Sequence, residues 1–234
     1  MSATNLPPVL LLHGWGGSFA HTWASNGWEE TLRHAGRRVL RMDLPGHGSA
    51  TGSHDPADYA DLASIIEERL GEEPRIDGIG FSLGAKLSLE LACRRPRRFR
   101  RLVVAGLGQN AFAPEPLGDA VATALEHGCD ADTPPAVAGL IERVRPAGND
   151  PLALAACLRR RPNPILTAER LASVLCPVLL VAGDRDALAQ PVAPLAAALA
   201  EAEVASISGV DHLGLPAAAE LEEAALRFLS SPGD

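Results

Sequence analysis

The sequence predicts an α/β fold in which a mainly parallel sheet of six strands is covered by helices on both faces. Short runs rich in Val, Ile and Leu recur along the chain, and longer segments with helical periodicity lie between them. The chain has 234 residues, of which 47% are hydrophobic and 21% charged, so a sizeable core fits within one domain.

Each predicted strand is one of these short apolar runs. In chain order the strands are predicted at residues 9–13, 38–42, 76–81, 101–105, 178–182 and 204–207.

Four longer segments are predicted as helices that cover the sheet. The second has a clear start, because Asp55 can accept a backbone N–H as its N-cap and Pro56 suits the first helical position. The last is amphipathic, with glutamates between apolar positions. The four helices are predicted at residues 23–35 and 56–70, from just after Ser82 to about Arg94, and at residues 216–229.

The stretch between the fourth and fifth predicted strands is too long for a single crossover. It has helical periodicity, clusters of Pro and Gly, and no good strand. We therefore predict an inserted helical cap, or lid, at residues 109–164. Residues 1–108 and 165–234 form the core.

Charge and composition argue against a nucleic-acid partner. The formal net charge is −8, with 21 basic against 29 acidic residues, and only nine residues are aromatic (three Trp, one Tyr and five Phe). Six arginines do fall within residues 94–101, at the end of a predicted helix. Cations are favourable there because the C-terminal end of a helix carries partial negative charge, so we interpret this run as a solvated helix end and not as a nucleic-acid site.

The N-terminal segment and the cysteines predict a soluble cytoplasmic protein. The first eight residues carry no basic region, and the apolar run after them is far too short to span a membrane, so no membrane partner is expected. The four cysteines are widely spaced at positions 93, 129, 157 and 176, so we expect reduced thiols and no metal site.

The strongest local motif is Gly80-Phe81-Ser82-Leu83-Gly84, which follows a predicted strand and precedes a predicted helix. That context is the one a nucleophile elbow requires. Glycines two positions to either side of Ser82 let the strand and the helix pass close together. The helix N-terminus beneath the hydroxyl favours negative charge.

A serine nucleophile needs a base that is oriented by a carboxylate, and both follow in the sequence. The fifth predicted strand runs into Asp184 and Asp186, and the sixth runs into Asp211 and His212. Both loops follow the carboxyl ends of strands, where open α/β sheets bind ligands. His212 is the predicted base, and the orienting acid is Asp186 or Asp184.

Five motifs taken together resemble the α/β-hydrolase superfamily, and they span the chain from Val9 to its end. They are His13-Gly14-Trp15-Gly16-Gly17, Asp43-Leu44-Pro45-Gly46-His47-Gly48, the Ser82 elbow, Gly183-Asp184-Arg185-Asp186 and Asp211-His212. The chain departs from that family at its start, where a strand hairpin usually precedes the first motif.

The resemblance implies the α/β-hydrolase fold with strand order 2-1-3-4-5-6, and it favours Asp186 as the catalytic acid, with Asp184 bracing the turn. It also implies an oxyanion hole made by the backbone N–H groups of Trp15 and Leu83. His13 and His47 are then structural residues of their loops.

The resemblance further implies a serine hydrolase that cleaves a carboxylic ester or thioester through an acyl-enzyme, with no cofactor and no metal. The motifs look like those of small carboxylesterases that act on acyl-carrier methyl esters, so the expected partner is a small ester or thioester substrate, free or bound to an acyl carrier protein. Trp15, Phe81 and Phe112 are candidate walls of the substrate site. The chain is expected to be a monomer or a small homo-oligomer.

Two alternatives stay open at this point. A lyase of the menaquinone-pathway type, or a hydrolase of carbon–carbon bonds, uses the same triad. A basic cluster among the five arginines of the predicted cap would favour the lyase; these are Arg143, Arg145, Arg159, Arg160 and Arg161. The second alternative is a low-turnover binding or signalling member of the fold.

Overall fold

One parallel sheet organises the computed structural model, which describes residues 6–113, 116–161 and 166–231. Its strands are β1 (Val9–Leu12), β2 (Val39–Met42), β3 (Ile76–Phe81), β4 (Phe99–Ala105), β5 (Val178–Gly183) and β6 (Ala202–Ile207). They pair in the order β2-β1-β3-β4-β5-β6, which confirms the predicted strand order. β2 and β3 lie on opposite sides of β1, so the connections at the carboxyl ends of β1 and β3 lead away from each other. A crevice therefore opens between these two strand ends.

Alternate residues of the four central strands, β1, β3, β4 and β5, point into two separate apolar layers, as expected for a sheet covered on both faces. Leu10 and Leu12 of β1 pack into the larger layer, while Val9 and Leu11 pack into the other. These strands are therefore packed on both faces, which fixes the positions of the loops at their carboxyl ends.

Helices cover both faces of the sheet. They are α1 (Phe19–Thr22), α2 (Trp28–His34), α3 (Leu62–Leu70), α4 (Leu83–Arg94), α5 (Gly118–His127), α6 (Pro135–Val144), α7 (Pro151–Arg159), α8 (Ala168–Leu171), α9 (Ala193–Ala198) and α10 (Ala219–Ser230). No helix in the described ranges is both long and apolar enough to cross a membrane.

The first two predicted helices are each interrupted. The helix predicted at 23–35 breaks at Gly27, whose φ of 81° is left-handed, and only α2 continues. The helix predicted at 56–70 begins as a 3₁₀ turn capped by Asp55, as predicted, and restarts as α3 where the Asp61 carboxylate accepts the Ser64 N–H. Local side-chain caps override the continuous apolar pattern in the second case.

The arginine-rich segment is mostly, but not wholly, a solvated helix end. Arg94 and Arg95 pair with surface carboxylates on α3 and its N-cap, as the prediction supposes. Arg100 is instead buried and donates to the buried Asp77 carboxylate and to the Leu229 carbonyl. That arginine ties β4 to β3 and to the end of α10.

The long β4–β5 connection, residues 106–177, contains α5 to α8 and no strand in its described part. Helices α5, α6 and α7 share a small apolar cluster of their own, which includes Val121, Ile141 and Leu158. The predicted cap boundary at residue 164 lies outside the described residues, and the division into core and cap stays a prediction.

Candidate active site

Ser82 lies at the turn between β3 and α4 with a φ of 52°, the one non-glycine residue with positive φ in the described chain. A Cβ on Gly80 would stand 2.6 Å from Ala85 Cα, and a Cβ on Gly84 would stand 2.2 Å from the Leu12 carbonyl oxygen. Neither position tolerates a side chain. The two glycines thus allow the close crossing of strand and helix that holds Ser82 in this strained conformation.

His212 bridges Ser82 to a buried carboxylate. Its Nε2 is 2.9 Å from Ser82 Oγ, and its Nδ1 is 2.8 Å from Asp186 Oδ2. The imidazole stands against the Phe81 ring, with centroids 5.0 Å apart, and its Cε1 is 3.1 Å from where a Cβ on Gly106 would lie. A base placed in this way can take the hydroxyl proton of Ser82, and the carboxylate can hold the imidazole in the required tautomer.

The structure places the two candidate acids in different environments. Asp186 is fully buried, and besides His212 its carboxylate accepts the backbone N–H groups of Leu188 and Ala189. Asp184 is exposed and accepts the Gly209 N–H and the Ser208 hydroxyl, both in the loop after β6. Asp184 therefore braces the loop that carries His212, whereas Asp186 contacts the imidazole.

The two residues whose backbone N–H groups are predicted to form the oxyanion hole both line the cavity that contains Ser82. Leu83 occupies the first position of α4, where helical N–H groups have no partner within the helix. Trp15 lies in the loop after β1. Among the described residues, neither N–H donates to a protein acceptor, and both residues line the same cavity as Ser82. These groups are available to a developing oxyanion.

His13 and His47 are buried beside each other in the loops after β1 and β2. The Leu44 N–H donates to His13 Nε2, so the proton lies on Nδ1, which donates to the Gly14 carbonyl 2.8 Å away. Burial lowers the pKa of His13, and burial together with neighbouring positive charge lowers the pKa of His47 to about 3. Both rings are thus neutral structural groups of these loops at neutral pH.

A mostly apolar cavity of about 180 Å³ extends from Ser82 and His212 toward the β4–β5 connection. Trp15 and Phe81 line it, as the sequence predicts, whereas Phe112 is not among its lining residues. Phe112 ends a short 3₁₀ turn (Gln109–Phe112) and packs against the larger apolar layer. The Phe112 ring is partly buried there.

Further side chains that sequence reasoning missed also line this cavity. They are Leu107, Asn110, Val121, Leu140, Leu158, Leu188 and Leu213, with the buried cation Lys86; the cap residue Arg160 lines it as well. Val121, Leu140 and Leu158 lie on α5, α6 and α7, and their signal in the sequence is the apolar stripe of an amphipathic helix, which ordinary packing positions share. In the described part of the chain, no group of His, Cys, Asp and Glu side chains is arranged to hold a metal ion.

Comparison with known proteins places this site in a family context. A family model described as the alpha/beta hydrolase family matches residues 9–224. A pimeloyl-[acyl-carrier protein] methyl ester esterase of Aromatoleum aromaticum is 35% identical over 130 residues, which are 51% of this chain and 47% of that protein. A 2-hydroxy-6-oxo-2,4-heptadienoate hydrolase of Pseudomonas putida is 38% identical over 42% of this chain and 37% of its own length. The matched region therefore spans less than half of each of these relatives.

Solved structures resemble the whole chain. An enol-lactonase from Burkholderia xenovorans LB400 superposes with a TM-score of 0.78 at 20% identity and covers 99% of this chain and 94% of its own. MenH from S. aureus superposes with a TM-score of 0.77 at 20% identity, and the match covers 97% of this chain and 95% of the MenH chain. At this level of identity, the likeness concerns the fold.

Proposed function

The chain belongs to the alpha/beta hydrolase family, and from that premise we propose that it is a serine esterase that cleaves a carboxylic ester or thioester through an acyl-enzyme. The observation that carries the proposal is the hydrogen-bonded series Ser82, His212 and Asp186 at one end of an apolar cavity. An acyl chain fits the apolar part, and its carbonyl then lies beside Ser82.

In the proposed mechanism Ser82 Oγ attacks the acyl carbon while His212 Nε2 takes the hydroxyl proton. The Trp15 and Leu83 amides donate to the oxyanion, and Asp186 stabilises the imidazolium. His212 returns the proton to the leaving alcohol or thiol. Water then attacks the acyl carbon while it loses a proton to His212. The bond between the acyl carbon and Ser82 Oγ breaks, the acid leaves, and His212 returns the proton to Oγ.

We propose that residues 109–164 are a cap that sets acyl specificity. Val121, Leu140 and Leu158, from α5, α6 and α7, supply one wall of the cavity and belong to or pack against the separate apolar cluster of these helices. Sequence changes in this wall alter the shape of the acyl site without contacting Ser82.

The substrate class that we favour is an acyl-carrier methyl ester, because the relatives in the matched region include several pimeloyl-[acyl-carrier protein] methyl ester esterases at 32–36% identity. The apolar cavity suits an acyl chain of this kind. The carrier protein would then remain outside the cavity.

The second candidate is the cleavage of carbon–carbon bonds or a lyase reaction by the same triad, and the Pseudomonas putida hydrolase favours the first of these. A lyase that needs a basic cap site is less favoured. Of the five cap arginines, Arg160 is the one that lines the cavity in the described part of the chain. Arg143, Arg145, Arg159 and Arg161 do not line it, and they pair with carboxylates.

The test of the proposed function is the nucleophile itself. Ser82→Ala is expected to lower kcat on p-nitrophenyl esters by about 10⁶-fold, as loss of a serine nucleophile does in a comparable triad. A fluorophosphonate should label the wild type at Ser82 and leave the variant unlabelled. Full activity in Ser82→Ala would refute the proposal, and tight ester binding with negligible turnover by the wild type would favour a binding protein.

A further inference from the structure

Asn149 lies where the β4–β5 connection returns toward the core, between α6 and α7, and its side chain bridges two core loops. Its Nδ2 donates to the Gly16 carbonyl at 2.8 Å and to the Gly17 carbonyl at 3.0 Å. Its Oδ1 accepts the Gly48 N–H at 2.7 Å. One amide therefore uses both of its N–H donors on the loop after β1 and its oxygen on the loop after β2.

Two further contacts hold the same loop from the β4–β5 connection. The Trp15 indole N–H donates to the Leu154 carbonyl on α7 at 3.2 Å. Gly16 has a φ of 76°, and a Cβ placed on it would stand 2.7 Å from Val144 Cγ1 at the end of α6. The loop backbone thus packs directly against the connection.

The core holds the opposite end of this loop. His13 Nδ1 donates to the Gly14 carbonyl, and the Gly17 N–H donates to that same carbonyl at 3.1 Å. The segment between these anchors contains glycines, which restrict backbone rotation least. Fixing the Gly16 and Gly17 carbonyls therefore removes much of the freedom that the core leaves to the Trp15 peptide.

We propose that Asn149 is a positioning residue for the oxyanion hole. It holds residues 14–17 of the loop after β1, the 14–17 loop, so that the Trp15 N–H faces the oxyanion. This inference rests on the proposed function. Transition-state stabilisation by backbone donors depends on their being held in place before the reaction. Asn149 therefore affects the rate of acyl transfer more than the binding of the ground-state ester.

Asn149→Asp tests this role with little change in volume. The variant keeps an oxygen for the Gly48 N–H and replaces the two N–H donors with a carboxylate oxygen that repels the Gly16 and Gly17 carbonyls. Loss of one oxyanion donor costs about 10²–10³ in kcat. Displacement of a donor should cost less, so we expect kcat to fall about 10- to 100-fold with KM within about twofold of the wild type.

The affinity for a trifluoromethyl ketone distinguishes a positioning role of Asn149 from a merely structural one. The ketone forms a hemiketal oxyanion with Ser82, so its affinity should fall by the same factor as kcat in Asn149→Asp. The matched control is Asn26→Asp, because Asn26 Nδ2 donates to the Thr22 carbonyl at 2.9 Å and, among the described residues, makes no hydrogen bond to residues 14–17. The control should keep both values.

Three outcomes separate this inference from the function beneath it. A folded Asn149→Asp with wild-type kcat, or with lowered kcat and unchanged ketone affinity, would overturn the positioning role. If that variant does not fold, Asn149→Ala, which lacks the repulsion, is measured in the same way and judged by the same criteria. Wild-type turnover by Ser82→Ala would instead overturn the proposed function.

Discussion

The core and the β4–β5 connection contribute to the candidate site by different physical means. In the core, Ser82, Asp186 and His212 follow the carboxyl ends of three strands, and their geometry is set by buried backbone and by glycines that admit no side chain. The connection is attached to this frame by individual side-chain contacts. They include the Asn149 bridge, the Trp15 indole bond and the half-exposed Arg143–Asp211 ion pair at 2.9 Å.

This difference separates two properties of the enzyme. Changes in the core should affect the chemical step or the folding of the whole domain, because a close-packed side chain cannot move without displacing its neighbours. Changes in the connection should affect which substrate enters, because its apolar wall can be reshaped without moving Ser82 or His212. Asn149 is the exception that we propose, since it transmits the position of the connection to the oxyanion loop.

Among variants that keep the Ser82 nucleophile, the largest effect is expected at the acid. Asp186→Asn should lower kcat by about 10⁴-fold, because an amide donor facing Nδ1 stabilises the wrong imidazole tautomer. Asp184→Asn should retain at least about a hundredfold more activity, since the loop contacts of Asp184 do not orient the ring. Steady-state kinetics of both variants, with thermal unfolding to verify folding, check this. A larger loss in Asp184→Asn would reverse the assignment of the acid.

The sequence predicts the core part of this site because its signals are local. The Ser82 elbow follows from glycines that must lie two positions away, and the order of strands places Asp186 and His212 at the same edge of the sheet. The choice between Asp184 and Asp186 needed the resemblance. The structure adds a physical difference, which is that one carboxylate is exposed and the other contacts the imidazole.

The helices of the connection could be predicted from the sequence, but its contacts with the core could not, because they have no local pattern. Asn149 contacts glycines more than 130 positions away, and nothing in its neighbourhood distinguishes it from an ordinary loop asparagine. Phe112 shows how little an aromatic residue near the start of the predicted cap says about where its ring lies. It is not among the residues that line the cavity with Ser82, and at the end of a short 3₁₀ turn it is partly buried against the larger apolar layer.

A smaller effect, on stability, is expected from His47. Its folded-state pKa of about 3 lies below the unfolded value of about 6.5, so the unfolded chain binds the proton more readily between these limits. The stabilisation is complete above pH 6.5 and is lost as the pH falls toward 3. At pH 5 the loss from His47 is roughly 2 kcal/mol, at 1.36 kcal/mol per pH unit.

Urea unfolding at pH 7 and pH 5 measures this loss. His47→Asn keeps a donor for the Pro45 carbonyl and cannot be protonated, so its free energy of unfolding should vary less with pH than that of the wild type. His21→Asn is the matched control, because His21 is exposed and its side chain makes no hydrogen bond or ion pair with another described residue. It should retain the wild-type pH dependence. An unchanged pH dependence in His47→Asn would mean that acid sensitivity does not arise in this core loop.

The smallest effect, and the most selective, is expected on the connection itself. Leu140→Phe should fill part of the cavity beside this wall, so kcat/KM should fall about tenfold for the longest acyl chains. That factor is about 1.4 kcal/mol, near the lower end of what one methylene is worth in an apolar site. The acetyl ester should change less than about twofold. A panel of p-nitrophenyl esters of increasing chain length measures both, with Leu152→Phe on the exposed side of α7 as control. Equal losses at every chain length would place Leu140 among the groups that govern the chemical step, and the separation between core and connection would fail at that residue.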